Sequence, residues 1–173
     1  MLYGIGFLLG GALGSTTGAV DPSALPANWS PASPSLASIT LFDILGVNLL
    51  NGLLMAVGAV FFGTLTVVLG FQNGFAHGVV VGTSLVESGS PGLVALLFLP
   101  HAAIELPAIW LALAAGLRPV GGFLAYLRSN RADPIRRSDI EDAIALFLIA
   151  ELLILVAAFI EYFVTLRLAR SLV

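Results

Sequence analysis

The chain has 173 residues, 58% of them hydrophobic and 10% charged, with 19 glycines and a formal net charge of −3. A mean hydropathy of +1.04 is that of a membrane protein and excludes an independent soluble domain, because at about 20 apolar residues per crossing the length holds roughly four to six helices and little else. All seven basic residues are arginine, so no basic groove for nucleic acid is encoded, and the lack of cysteine removes disulfides, thiol catalysis and thiolate metal sites.

The fold class expected is all-α: a polytopic transmembrane helix bundle of about five spans, with a proline-broken helix and a re-entrant segment, in a single integral membrane domain covering residues 1–173. The first predicted span, about residues 1–20, carries Gly6, Gly10, Gly14 and Gly18 on one face. Small residues at this spacing let helix backbones approach closely in lipid, so the stripe predicts contact with a neighbouring helix or a second copy. Met1-Leu2-Tyr3-Gly4 lacks the basic start of a secretory signal, which favours a retained helix over a cleaved one.

Residues 21–38 are rich in proline and serine and read as a short extramembrane loop with Trp29 at the interface. The second span, about 39–69, carries Asp43 near its start, suited to capping, and Asn48 and Asn51 on one face, suited to interhelical hydrogen bonding or to a polar core. Gln72-Asn73-Gly74 predicts a break. The following stretch, about 71–86, carries His77 and a Gly78/Gly82 pair and is short enough to be re-entrant.

The fourth segment, about 91–117, contains Leu99-Pro-His-Ala-Ala-Ile-Glu-Leu-Pro107. Two ionisable groups here cost several kcal/mol in hydrocarbon unless they meet partners or water, so they mark a site in the bundle interior. His101 and Glu105 share a helix face, and Pro100 and Pro107 each free a carbonyl one turn earlier, which predicts a broken helix. Residues 118–137 form the arginine-rich polar loop, Ser138-Asp139-Ile140-Glu141 reads as a capping box, and the last span, about 140–166, carries Glu151 and Glu161. Five crossings with that loop cytoplasmic put the N-terminus inside a prokaryotic cell membrane, although Arg167 and Arg170 then lie at the outer end.

Three readings of the polar core stand side by side. His101 and Glu105 can form a packing pair; with Glu161, and more weakly His77, they can hold a divalent metal ion, zinc or manganese on imidazole and carboxylate or calcium on oxygens; or Glu105, Glu151 and Glu161 can line an ion or proton path. Enzymatic chemistry, as an intramembrane hydrolase of another kind, ranks below these readings: no His-Glu-x-x-His or Gly-x-Ser-x-Gly is present, and Ser84 and Ser90 have no patterned base beside them. Glycine stripes in the first span and at Gly78/Gly82 predict self-association, a homodimer, within the lipid bilayer.

Asn48 and Asn51, Phe62-Gly63, Asn73-Gly74, the His101-x-x-x-Glu105-Leu-Pro-Ala block, Ala115-Gly116-Leu117 and Phe159-Ile-Glu161-Tyr-Phe-Val-Thr165, in this order, resemble the stage II sporulation protein M family from about residue 39 onward. The resemblance implies a five-span integral membrane protein. It also implies a scaffold for a membrane or cell-envelope partner, since a member in sporulating bacteria scaffolds peptidoglycan-remodelling enzymes; a small ion or metal transporter is the competing expectation.

Overall fold

The computed structural model describes residues 1–17 and 38–171, so the predicted loop with Trp29, apart from Ser38, lies outside the described residues, as does Gly18. The described residues form an all-α bundle: α1 (Leu2–Thr17), α2 (Leu41–Val57) continued by a 3-10 turn (Gly58–Phe61), α3 (Thr64–Ser88), α4 (Pro91–Leu127), α5 (Arg137–Ile160), a π turn (Glu161–Thr165) and α6 (Leu166–Ser171). Four helical stretches, 41–61, 64–88, 91–127 and 137–171, are long and apolar enough to cross a membrane. The 16-residue α1 is about 24 Å long, short of a hydrocarbon core of about 30 Å.

The second span ends earlier than the sequence predicts. Phe62 (φ 50°) and Gly63 (φ 76°) both adopt the left-handed conformation and reverse the chain, and a side chain on Gly63 would press on Leu117. Only glycine takes this conformation without steric cost. The predicted spans 39–69 and 71–86 are therefore divided at residue 63, and the second is no re-entrant stretch but the later part of the 25-residue α3. Gln72-Asn73-Gly74 does not break the helix because its polar and small groups are taken up: Asn73 donates to the Leu69 carbonyl one turn earlier (2.9 Å) and accepts from Asn51 of α2 (2.9 Å), and Gly74 receives the Tyr3 backbone of α1.

α4 is also continuous, running for 37 residues through Pro100, Pro107 and Pro119. Each proline removes one backbone donor, yet its fixed φ suits a helix, and the helix is held by packing at Ala102, Ala108 and Ala112, all almost fully buried. The predicted arginine-rich loop shrinks accordingly. Arg118 stands within α4, where it pairs with Asp139 (3.1 Å) and Asp142 (2.8 Å). The capping box lies two residues upstream of its expected place: Asp139 accepts from the Arg136 backbone N–H (2.8 Å) and from Arg131 (2.5 Å), while Glu141 takes Arg137 (2.6 Å). At the start of α2, Thr40 and Asp43 cap reciprocally, the Asp43 carboxylate accepting from the Thr40 N–H at 2.8 Å.

The two glycine stripes meet each other. Gly6, Gly10 and Gly14 of α1 lie against the α3 backbone at Phe71, Phe75 and Val79, and Gly74, Gly78 and Gly82 lie against α1 at Tyr3, Phe7 and Gly11. Residue numbers rise together along both helices, so they run parallel, and backbone meets backbone as small-residue stripes permit. The faces that predicted a homodimer are thus filled within one chain. Opposite them, α4 and α5 run antiparallel, and Arg170 reaches back to the Ile39 carbonyl (3.1 Å), joining the end of the last helix to the start of α2. The outside of the bundle is greasy, with Phe42, Leu148 and Leu152 all more than half exposed, as a lipid-facing surface requires.

Candidate functional site

α3, α4 and the last helix do not close on one another along their whole length. Between them lies a cleft of about 810 Å³, with Asn48 of α2 at its base. Val80 and Val81 of α3, Leu93, Val94 and Leu97 of α4, and Leu166 of α6 form its apolar walls; Ser84, Glu87 and Ser88 stand toward the α3–α4 turn, and His77, His101, Glu105, Glu161 and Thr165 stand deeper in.

Glu105 comes off the centre of α4, its side chain only 10% exposed, and Oε1 faces Nε2 of His77 on α3 at 3.7 Å. Nδ1 of the same imidazole is 2.7 Å from the Tyr3 hydroxyl. When that hydroxyl donates, the tautomer is set so that the Nε2 proton faces Glu105. Tyr3, His77 and Glu105 thus form a line across α1, α3 and α4. His101 is directed elsewhere than the sequence predicts: its Nδ1 lies 3.2 Å from Thr165 Oγ1. Its helix-mate Glu105 pairs with His77 instead. The Phe98 ring packs against both imidazoles, 6.0 Å from His77 and 5.6 Å from His101, at steep angles to each.

Glu161 and Thr165 enter the cleft from the π turn, a local widening that often accompanies functional positions. Glu151, the other acidic residue of the last span, does not line the cleft. It presses on Gly52 of α2, where its buried Oε1 has no hydrogen-bond partner.

The two amides divide. Asn51 donates to Asn73 (2.9 Å), tying α2 to α3, whereas Asn48 faces the cleft. Both line a second cavity of about 10 Å³ beneath Glu105, closed by Met55, Ile109 and Ile154, room for about one water molecule. Below it the packing is tight: Met55, Thr66, Ala108, Ala112 and Ala115 are almost completely buried, and Thr66 bonds the Met55 carbonyl (2.7 Å). Among the described residues, no group of three His, Asp or Glu side chains could hold a metal ion, so the predicted ligand set of His101, Glu105, Glu161 and His77 shares a cleft without forming a coordination shell.

Tyr3, Asn73 and Phe98 belong to this site and were not among the predicted residues. Phe98 lies three residues before His101 and seven before Glu105, so the helical spacing of α4 could have marked it; Tyr3 and Asn73 are far from both in sequence, and only the parallel seating of α1 on α3 brings Tyr3 to His77.

Long apolar helices around a polar intramembrane cleft define a multi-pass helical membrane protein. The chain belongs to the stage II sporulation protein M family, whose family model matches residues 1–166. The match includes α1, so the family pattern begins well before the residue 39 suggested by the motifs. A relative of the chain is the uncharacterized protein MJ0793 of Methanocaldococcus jannaschii, 30% identical over 169 residues, spanning 98% of this chain and 92% of the relative. No solved structure matches.

Proposed function

We propose that this membrane protein is a non-conducting scaffold, resident in a prokaryotic cell membrane with its arginine-rich end cytoplasmic, and that the His77/His101/Glu105/Glu161 cleft is its binding site. The observation that carries this reading is that the cleft is blind. Below Glu105 and Asn48 it narrows to a cavity of about 10 Å³ that Asn51 and Asn73 also line, and among the described residues it ends on a plug of buried Met55, Ala108, Ala112 and Ala115. A path for ions needs polar groups or water to continue past this level. A site that ends in packed alanines holds what enters it.

The reading is tested on purified protein in liposomes and on whole membranes. The expected result is no cation or proton flux above empty vesicles, together with a discrete heteromeric adduct from photocrosslinkers on one outer face of the bundle, scanned through Val68, Leu99, Leu148 and Leu152. Flux that Glu105→Gln abolishes would overturn the scaffold reading in favour of transport. Absence of any protein adduct on every face would overturn it as well.

A further inference from the structure

We infer that the cleft binds a membrane-partitioned organic cation, an alkyl chain ending in a protonated amine, with the ammonium seated between Glu105 and Glu161. This rests on the reading of the cleft as a blind binding site and names the class of its ligand.

Four observations select this ligand class. The volume of about 810 Å³ falls within the range of about 300–1,000 Å³ typical of small-molecule sites, and is too small for a transmembrane helix about 30 Å long and 10 Å across. The walls at Val80, Val81, Leu93, Val94 and Leu97 are aliphatic, so the body of the ligand is apolar. The polar end holds Glu105 and Glu161, with Glu87 nearer the α3–α4 turn, and among the described residues no Lys or Arg lines the cleft; an anion would meet two carboxyl groups offset only by the imidazoles of His77 and His101, and a neutral chain would bring no positive charge to those carboxyl groups. A compact metal ion is disfavoured because no three of the described His, Asp and Glu side chains converge.

An ammonium has different requirements. It takes up to three acceptors in loose geometry, and it is attracted to a ring face. The cleft lining holds both kinds of group: the carboxyls of Glu105 and Glu161 and the aromatic ring of Phe98. Asn48 and Thr165 add side-chain oxygens beside them. Glu105 is already aligned by His77 at 3.7 Å, so one acceptor is oriented before the ligand arrives.

The test is calorimetric titration of the full chain in maltoside micelles with dodecylamine, dodecanol and dodecyl sulfate, each below its micellar concentration. The expected result is saturable, single-site binding of dodecylamine alone, about tenfold weaker in the Glu105→Gln/Glu161→Gln double variant. Dodecanol binding as tightly as the amine, unchanged affinity in the double variant, or no saturable binding would each overturn the assignment. Leu97→Trp and Val81→Trp fill the apolar wall and keep both carboxyl groups, so they must also block the amine. Amine binding by either filled variant as in the wild type overturns the site even if the double variant does not fold. The two proposals fail separately: flux through wild-type protein removes the blind-cleft reading, whereas a flux-silent protein that ignores the amine loses only the ligand.

Discussion

α3 presents two faces that solve opposite problems. Toward α1 it is lined by Gly74, Gly78 and Gly82, and a single added carbon at any of them would overlap backbone atoms of the neighbouring helix. Toward α4 and the last helix it carries His77, Val80, Val81 and Ser84, and there the partners stand apart around about 810 Å³. In lipid there is no water to drive helices together, so close backbone contact is the main source of adhesion. The glycine face supplies rigidity, and the other face can then remain open without the bundle collapsing into it.

This contrast orders the consequences of substitution. The largest effect is expected at the glycine seam, where Gly10→Leu and Gly78→Leu force backbone against side chain at Phe75 and Phe7; each should destabilise by about 3 kcal/mol or more, read by denaturant titration in micelles with helical circular dichroism. If either variant unfolds like the wild type, the seam does not hold α1 in place. Next comes the arginine-rich end. Asp139 is 2% exposed and receives Arg131, Arg118 and the Arg136 N–H, so Asp139→Asn, which takes the carboxylate from Arg131 while Arg118 keeps Asp142, should lower the unfolding midpoint in the same assay, by less than the glycine variants.

Smaller changes sharpen the comparison. Tyr3→Phe keeps the ring and removes the hydroxyl that lies 2.7 Å from His77 Nδ1; a loss of about 1 kcal/mol is expected, with a change in the His77 ring nitrogen resonances. On the open face, Leu97→Trp enters free volume, so its stability should stay within about 1 kcal/mol of the wild type. A large loss there would mean that the cleft is filled in the folded protein. Smallest of all is Gly4→Ala, at a helical position where an added carbon meets nothing within 4 Å; it should be neutral or stabilise by up to about 1 kcal/mol through helix propensity alone.

How much of this was legible varies with the range of the interaction. The glycine spacing in α1 and the capping position of Asp43 are local patterns, and the structure uses both, the first against α3 and the second with Thr40. The breaks were misplaced for one reason. Proline and Asn-Gly are turn signals in water, where exposed backbone is solvated; here Pro100 and Pro107 sit inside a continuous packed helix, and Asn73 is held by the Leu69 carbonyl and the Asn51 amide. The actual reversal, Phe62-Gly63, has only one glycine in an apolar run to announce it.

Composition and hydropathy alone established an all-α membrane protein, since a lipid environment admits few other ways to satisfy the backbone, and the order of its motifs identified the family. The sequence also marked His101, Glu105 and Glu161 as expensive groups in an apolar chain. Which of them meet was settled by helix packing: Glu105 faces His77 across 28 residues of sequence, His101 faces Thr165, and Tyr3 completes the line from α1. Those pairings depend on the rotation and offset of one helix against another, which arise from contacts far apart in the chain and leave no periodic trace within it.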